Sequence, residues 1–412
     1  MYRIFVLSII CSQILLAQNI LNFALPENMS EQKLTFDEVL QKALSANEQF
    51  LQAKEDINAQ KGLAKQSLAK VLPTLTGTGT LNDQINLSGA LNTTVPLVNI
   101  SGILNSIGAF KQIDATKMSV ERRRETLILA VSNTYWNVWL EQNLLEIAKK
   151  QHAISESQLA TAKRKAKLQE ISRLALKRAE LLVAKTQIKI VSSEANLKAA
   201  QGSLAFLLGE NSLIAVKNPP HVLALEKNKD QSFKRSDLDA QKISVQAAWA
   251  SKQSANWSFM PTVDAGLGLN LPWKGREQFQ ATLNLTIPFY DGHFRFGTLQ
   301  SADAKWRQEK YKKHLLEREI QLEIQGSLTT IKRNQELLEI SNNLVEIGNI
   351  SVKSAENRRA AGHATSLDVL DEQTRLFDAQ SDNERAKVDL ALARIRLAYT
   401  KGDPIKAWKP NG

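Results

Sequence analysis

The feature that most constrains the fold is an internal duplication. In each copy a helical stretch leads into Pro-Thr, two short alternating segments follow, and a second proline precedes a very long helical stretch. Three landmarks recur at offsets of 188, 192 and 193 residues: Pro73-Thr74 with Pro261-Thr262, Pro96 with Pro288, and Gly209 with Gly402. Because the offset drifts so little, the sequence predicts two copies of one structural unit.

The duplication also sets the predicted domain boundaries. Only 6% of the 412 residues are aromatic, and the chain has 18 Gly and 10 Pro, which favours extended helices over a rounded core. The predicted units are a signal peptide (1–17), an N-terminal linker (18–33), a first repeat (34–209, hairpin 73–96), an inter-repeat linker (210–235), a second repeat (236–402, hairpin 261–288) and a tail (403–412).

Residues 1–17 have the arrangement of a secretory signal. Arg3 is followed by an apolar stretch and by a candidate cleavage site at Ala17. The apolar stretch from Ile4 to Leu16 is interrupted by polar residues and is shorter than the roughly 20 residues of a spanning helix. Cleavage is therefore preferred to a signal anchor, and the mature chain would lose Cys11, its single cysteine.

The alternating segments predict strands with one apolar and one polar face. Residues 279–287 alternate in this way, as do residues 262–270, and residues 74–81 and 85–95 repeat the pattern in the first copy. Each has roughly the nine to eleven residues of a tilted membrane-spanning strand. Alternation by itself fits a soluble sandwich equally well.

The number of strands favours the membrane interpretation. Four strands cannot close into a barrel, and lipid does not tolerate open sheet edges. Several chains would have to pool their strands, and a trimer would supply twelve, an even number typical of membrane barrels. With an export signal, the bacterial outer membrane is the natural location.

The long helical stretches predict an elongated helical body. Residues 297–359 contain no proline and would reach roughly 95 Å as one helix. The matching stretch of the first copy is 108–167. Two apolar stripes predict contacts with two neighbours. The first stripe is Ile324, Ile331, Leu338, Val345 and Val352, the second is Leu337, Ile340, Leu344 and Ile347, and the first copy has Val131, Val138, Leu145 and Leu159 with His152 interrupting.

The charge distribution and the lack of catalytic motifs in the sequence argue against other functional classes. The formal charge is +11, but the basic residues, including 122–124 and 163–167, are mixed with Asp and Glu along helices. We interpret them as solvated helix faces and predict no nucleic-acid partner. The five histidines have no metal-ligand spacing, and neither a nucleophile elbow nor a phosphate-binding loop is found. The sequence predicts no enzyme, no catalytic residues, no metal and no cofactor.

Two segments resemble a known family. Residues 359–371, RAAGHATSLDVLD, and residues 287–292, IPFYDG, are similar to the helix-turn-helix tip and the strand-to-helix junction of the TolC-like outer membrane efflux proteins. The resemblance covers essentially all of the chain after the signal. It implies a mainly α fold with a membrane β-barrel part: a homotrimer with a 12-stranded barrel in outer membrane lipid and an α-helical tunnel in the periplasm.

The resemblance also implies function and partners. It implies the exit duct of a tripartite efflux or secretion system, which conducts substrates passively and is gated at its periplasmic tips. A periplasmic adaptor would dock on the tips, and an inner-membrane pump would act indirectly and select the cargo. The tip of the first copy, residues 168–176, departs from the pattern because it has no glycine and has Ala175 where Asp368 stands in the second.

The resemblance points to candidate site residues at the tips. Asp368 and Asp371 share a helix face, and in a threefold pore six carboxylates would form a cation-attracting ring whose mutual repulsion raises some of their pKa values. The alternative is that Asp368 caps a helix and Asp371 is solvated. Gly362 would supply the tight turn, and His363 is either pH-sensitive or a solvent-exposed bystander. The predicted turn and docking residues are Gly362, His363, Thr365, Ser366, Leu168, Glu170 and Ser172.

Two other classes of protein stay open. A periplasmic adaptor would carry one helical hairpin between two half-lipoyl motifs, which the complete duplication argues against. A structural coiled-coil rod would leave the strand pairs unexplained. The sequence does not identify a cargo.

Overall fold

The computed structural model describes residues 33–81, 87–220, 235–272 and 275–402. The predicted signal peptide, the C-terminal tail and all of the N-terminal linker except Lys33 lie outside these residues. The elements are α1 (Phe36–Ala46), α2 (Glu48–Ala69), β1 (Thr74–Leu81), β2 (Leu87–Val98), α3 (Ile100–Lys167), α4 (Arg173–Leu208), α5 (Ser236–Trp257), β3 (Thr262–Leu271), β4 (Gln278–Thr286), α6 (Phe294–Ala360) and α7 (Ser366–Lys401).

The two halves of the chain have matching elements. Helices α2 and α5 have 22 residues each, α3 and α6 have 68 and 67, and α4 and α7 have 36 each. The predicted long helices are therefore present, and α3 begins eight residues before its predicted start. None of the helices in the described ranges combines the length and apolar character needed to span a membrane.

The four strands form one antiparallel sheet in the order β1-β2-β3-β4. The register places apolar residues opposite one another, as in Leu283 with Ala265 and Leu285 with Val263, so the sheet has one apolar and one polar face. A register shift between Pro96 and Val98 accommodates the proline in β2. The apolar face is exposed in the single chain, with Leu283 70% accessible.

The helices pack side by side in two layers. In the layer next to the sheet the order is α2-α3-α5-α6, and in the distant layer it is α4-α3-α7-α6. Two helices, α3 and α6, run through both layers. Packing is close between α3 and α5, where the Ser101 and Ser254 hydroxyls lie 3.1 Å apart and Gly108 meets the α5 backbone at Ala247.

Shorter helices of the two layers meet end to end. At the end of α4, Gly209 adopts a left-handed conformation with φ 65°, which ends the helix. Asn47 then serves both helices: its Oδ1 accepts from Phe50 N at the start of α2, and its Nδ2 donates to the Leu207 carbonyl at the end of α4. One side chain thus satisfies groups at two helix ends that would otherwise lack partners.

The main core lies where the two layers meet. It is built from α1, the middle of α3 and the ends of α4 and α7. The fully buried Tyr135 contacts Phe36 edge to face, and its hydroxyl donates to the carbonyls of Leu34 and Lys217. Leu34 pairs with Val216 in a parallel bridge, so the described part of the inter-repeat linker is tied to the start of the first repeat.

The seam between α6 and α7 differs in detail from the predicted apolar one. The most buried positions of α6 in the distant layer recur at sevens and include Ser327, Asn334 and Ser341. Asn334 Nδ2 donates to the Asp389 carbonyl at 2.9 Å, and Asn383 of α7 donates to Ser341 Oγ at 3.1 Å. The first predicted apolar stripe of α6 is half-buried beside this polar seam.

A buried ionic cluster joins four helices and corrects one interpretation of the sequence. Arg122, which we interpreted as part of a solvated face, is only 12% exposed and pairs with Glu125 at 2.7 Å and with Asp237 at 3.4 Å. Its guanidinium also covers the Tyr399 ring at 3.8 Å and donates to the Tyr399 carbonyl. The interpretation failed because the partners come from α5 and α7, distant in sequence.

The same cluster extends to Arg235, which is 4% exposed. Arg235 binds Asp237 at 2.6 Å and Glu323 of α6 at 2.7 Å. Burial alone would raise the pKa of Asp237, but the hydrogen bonds from Arg235 and the charges of Arg122 and Arg235 hold it below its usual range. The cluster stands where α7 ends and α5 begins, the position that Asn47 occupies in the first half.

Replacing Arg122 tests this cluster. Arg122→Met leaves buried Glu125 and Asp237 without one cationic partner, so we expect the free energy of unfolding to fall by about 3 to 5 kcal/mol. The matched control is Arg123→Met, because Arg123 makes an exposed pair with Asp56 and its loss should cost less than about 1 kcal/mol. Denaturant unfolding in detergent, followed by circular dichroism, measures both.

The pH dependence of the free energy of unfolding is a second test of the cluster. Because the pKa of Asp237 is lower in the folded chain than in the unfolded one, its contribution is complete above about pH 4 and is lost as the pH falls through the folded pKa. An equal loss of unfolding free energy in Arg122→Met and Arg123→Met would contradict a stabilising role of the buried cluster.

Candidate functional site at the helix tips

The second helix tip reverses the chain between α6 and α7. Helix α6 ends at Ala360, and Gly362 follows with φ 79°, a conformation that glycine adopts without strain. The amide of His363 donates to the Arg358 carbonyl at 2.8 Å, and that of Gly362 to the Arg359 carbonyl at 3.1 Å. Gly362 therefore has the geometry of the turn that the sequence predicted.

The first helix tip has the same backbone geometry without a glycine. Gln169 stands at the position of Gly362 and adopts φ 59°. The amide of Glu170 donates to the Lys165 carbonyl at 2.9 Å, and that of Gln169 to the Ala166 carbonyl at 3.1 Å. The two turns therefore follow the same backbone path. The first turn is strained, because a side chain in the left-handed region costs about 1 to 2 kcal/mol.

The two tips differ in how the next helix begins. Thr365 caps α7: its Oγ1 accepts from Asp368 N at 3.2 Å, and Asp368 Oδ2 accepts from Thr365 N at 2.7 Å, which completes a capping box. Ser172 caps α4 by accepting from Ala175 N at 3.2 Å. Ala175 cannot return the contact, so the first tip has half of the cap that the second has.

The capping box lowers the pKa of Asp368 in the single chain. Hydrogen bonds from the Thr365 backbone and hydroxyl hold the pKa of Asp368 below its usual range. Asp371 lies one turn later on α7, is exposed and takes no part in the cap. The predicted repulsion within a ring would act between copies of the chain. In the described residues, no group of three or more His, Cys, Asp or Glu side chains could hold a metal ion.

Three of the predicted docking residues meet at a groove between the two tips. Ser172, Thr365 and Ser366 line a cavity of about 190 Å³, whereas Leu168, Glu170, Gly362 and His363 are exposed outside it. The floor of this tip groove is apolar, and sequence reasoning missed it. The floor residues are Ile171, Ala175, Ala179, Leu367 and Leu370.

The tips also differ in charge. Between residues 158 and 182 the first tip carries seven Lys or Arg and two Glu, whereas residues 351–375 of the second carry four basic and four acidic residues. The basic side chains of the first tip are exposed, as the sequence predicted for residues 163–167. An exposed surface with this excess of positive charge attracts acidic groups over a range set by ionic strength.

A second concave surface lies beneath the sheet. Helices α3, α5 and α6 enclose an open groove of about 1540 Å³ lined mainly by small and polar side chains. On α3 these are Ser101, Asn105 and Gln112, and on α6 they include Thr298 and Ser301. The polar face of the sheet also lines a concave surface, with Thr78, Thr80, Ser88, Asn270 and Gln278 around it. The concave side of the chain is therefore polar in both parts.

Exchanging the turn residues tests the strain at the first tip. Because Gln169 is in the left-handed region, Gln169→Gly should stabilise the chain by up to about 1 kcal/mol. Gly362→Gln places a side chain at φ 79° in open space and should destabilise the chain by about 1 kcal/mol or more. Thermal unfolding measures both, and Gln158→Gly, in a helix interior, is the control that should destabilise. A destabilising Gln169→Gly would contradict the strain.

Comparisons with known proteins agree with this architecture. The chain matches the outer membrane efflux protein family over residues 39–210 and 233–402. It is 23% identical over 356 residues to the pyoverdine export outer membrane protein OpmQ of Pseudomonas putida, covering 80% of this chain and 75% of that protein.

Solved channels show the same fold. The structure superposes on CusC with a TM-score of 0.80, at 18% identity, covering 92% of this chain and 96% of that one. It superposes on the open state of the MtrE channel of Neisseria gonorrhoeae with a TM-score of 0.74, at 15% identity, covering 95% and 96%. Both of these neighbours are described as channels. The predicted fold class and location are confirmed: the chain belongs to the outer membrane efflux protein family and is an efflux channel of the bacterial outer membrane, with its long helices on the periplasmic side.

Proposed function

We propose that three copies of this chain form the exit duct of a tripartite efflux system, which conducts its cargo passively and is gated at the helix tips. The observation that carries the proposal is that the two lateral edges of each chain differ and that each edge lacks packing or hydrogen-bonding partners. β1, α2 and α4 lie along one edge, and β4 and α6 lie along the other.

The edges of the sheet need partners. β1 and β4 are the outer strands, so each has one row of backbone groups that no described strand pairs. In lipid each unpaired group costs several kcal/mol. If β4 of one copy pairs with β1 of the next, all of these groups are satisfied when the ring closes.

The helices carry matching apolar edges. Leu174, Leu181 and Ile188 recur at sevens on α4 and are 56 to 69% exposed. On α6 the second apolar stripe of the sequence is likewise exposed: Leu337, Ile340, Leu344 and Ile347, at 48 to 58%. Because the two patches differ, they favour a head-to-tail contact, which closes into a ring when the rotation allows it.

The four strands in the described part of each chain allow more than one number of copies. Two, three or four copies would give barrels of eight, twelve or sixteen strands, all of which are even numbers that membrane barrels use. The resemblance to the TolC-like proteins favours three. The polar concave face would then line a water-filled lumen, and its mainly small and polar side chains suit passive conduction.

The tips are the proposed docking and gating region. The tip groove offers an apolar floor and a rim of Ser172, Thr365 and Ser366 to the hairpin of a periplasmic adaptor. The first tip's positive charge would favour an adaptor with acidic side chains around its contact. The open state described for the MtrE channel supports the proposal that a channel of this fold is gated. Cargo choice is assigned to the inner-membrane pump.

The alternative functions make different predictions. An adaptor or a coiled-coil rod would not need a sheet with an exposed apolar face, and either would remain dispersed without detergent. The exposed Leu75, Phe279 and Leu283 therefore favour the duct.

Substitutions in the exposed apolar stripes of α4 and α6 test the assembly of the copies into a ring. Ile188→Asp and Ile340→Asp would bury a carboxylate between copies, so we expect each to destabilise the assembly by about 3 kcal/mol or more and to shift it from trimer to monomer. Gln335→Asp is the control, because Gln335 is exposed on the side of α6 away from the apolar stripe. Native mass spectrometry in detergent measures the copy number. An unchanged trimer in both interface variants would refute this edge, and a wild-type monomer would refute the ring.

Removing the carboxylates tests the gate. Asp371→Asn should lower cation selectivity and raise single-channel conductance in planar bilayers without loss of stability, because this change removes one ring of charge. Asp368→Asn should do the same and also destabilise α7 by about 0.5 to 2 kcal/mol, since it breaks the capping box. The matched control is Glu346→Gln on α6. Wild-type selectivity in both Asp variants would exclude them from the constriction.

A further inference from the structure

We propose that the membrane boundary extends beyond the strands, so that the outer face of the first three turns of α3 is immersed in the periplasmic leaflet. The inference rests on the proposed duct, and it names lipid as the partner of an otherwise uncovered helical face. The face consists of Ile103, Ile107 and Phe110, which are 50%, 47% and 44% exposed. We call it the α3 collar.

The direction of the α3 collar follows from helix geometry. Successive residues turn by about 100°, so Ile103, Ile107 and Phe110 form one stripe. Ser101, Asn105 and Gln112, which line the concave groove, fall on the opposite side of the same turns. Since the groove is the inside of the duct, the α3 collar faces outward.

Another copy of the chain cannot cover this face from the side. α3 is flanked within its own chain by α2, through Ser106 and the Ser67 carbonyl, and by α5, through Ser101 and Ser254. In the proposed ring, contacts between copies would involve α2 and α6, which are the outer helices of the layer within one chain. The collar therefore stays on the outside after the ring has closed.

The α3 collar continues the apolar face of the sheet, which favours lipid as the molecule that covers it. β2 runs directly into α3, so the collar begins within about 10 Å of the apolar face of the sheet. On α6, Phe296 takes the corresponding place: it is 62% exposed and lies opposite Thr298 and Ser301 of the groove. Large apolar and aromatic side chains next to a membrane-spanning sheet belong to the interface between lipid and water.

The lower limit of the immersed zone is marked by charge. Along the outer side of α3 the apolar residues stop at Phe110, and Lys111, Asp114, Lys117 and Glu121 follow. Lys117 pairs with Asp114 at 3.0 Å with both side chains about half exposed, as in water. From Ile103 to Phe110 the axial rise is about 10 Å, the depth to which apolar helix faces enter an interface.

The test uses single cysteines, because Cys11 is the only natural one and lies in the predicted signal. Ile103→Cys, Ile107→Cys and Phe110→Cys are labelled with bimane, and the channel is reconstituted into vesicles of phosphatidylethanolamine and phosphatidylglycerol containing brominated acyl chains. Leu283→Cys on the sheet is the lipid-facing reference. Asn105→Cys on the groove side and Lys117→Cys below the collar are the aqueous references. Circular dichroism confirms that each variant is folded.

We expect brominated lipid to quench the three collar labels at least about twofold more than the Asn105 and Lys117 labels, with iodide showing the reverse order. Collar labels that iodide quenches as strongly as the Lys117 label would overturn the inference while leaving the duct intact, provided that the Leu283 label is quenched by lipid. Collar labels shielded from both quenchers would overturn it by showing a protein cover. An unquenched Leu283 label would overturn both the inference and the proposed membrane placement.

Discussion

The constraint on which the rest of the structure depends is that backbone groups in lipid must find partners. A four-stranded sheet with an exposed apolar face leaves one row of such groups on β1 and another on β4. Within one chain nothing described pairs them, and the helices repeat the same asymmetry, with separate apolar stripes on α4 and α6. Sheet and helices therefore point to the same head-to-tail assembly, although they differ in chemistry and lie in different surroundings.

The joint between the two helical layers differs chemically from the seam between α6 and α7 in the distant layer. The shorter helices meet end to end, through Asn47 in the first half and through the ionic cluster of Arg122, Arg235 and Asp237 in the second. Buried ion pairs hold geometry strictly because a displaced partner leaves an uncompensated charge. Below this joint, α6 and α7 contact through hydroxyl and amide groups such as Ser341 and Asn383, which can exchange partners at lower cost.

The sequence predicted the features that depend on local pattern. The duplication, the alternating strands and the long helices have clear periodicities, and Gly362 was identified as a turn because few other residues favour that conformation. Features that depend on distant partners were missed. Arg122 looks like any surface arginine until α5 and α7 are brought beside it, and the left-handed Gln169 is recognisable only once the two tips are superposed. The apolar floor of the tip groove likewise combines α4, α7 and the turn before α4.

The two tips are chemically unequal although their backbones agree. The second has glycine at the turn and a complete capping box, so its α7 start is well fixed and hydrogen bonds from Thr365 hold the pKa of Asp368 below its usual range. The first has a strained Gln169, half a cap and an excess of basic side chains. A firmly held tip that carries Asp368 and Asp371 suits a constriction, whose carboxylates need fixed positions. A strained, positively charged tip suits recognition, because rearrangement on docking can release strain that the free tip carries. The duplicated tips thus share one backbone path and differ in a few side chains.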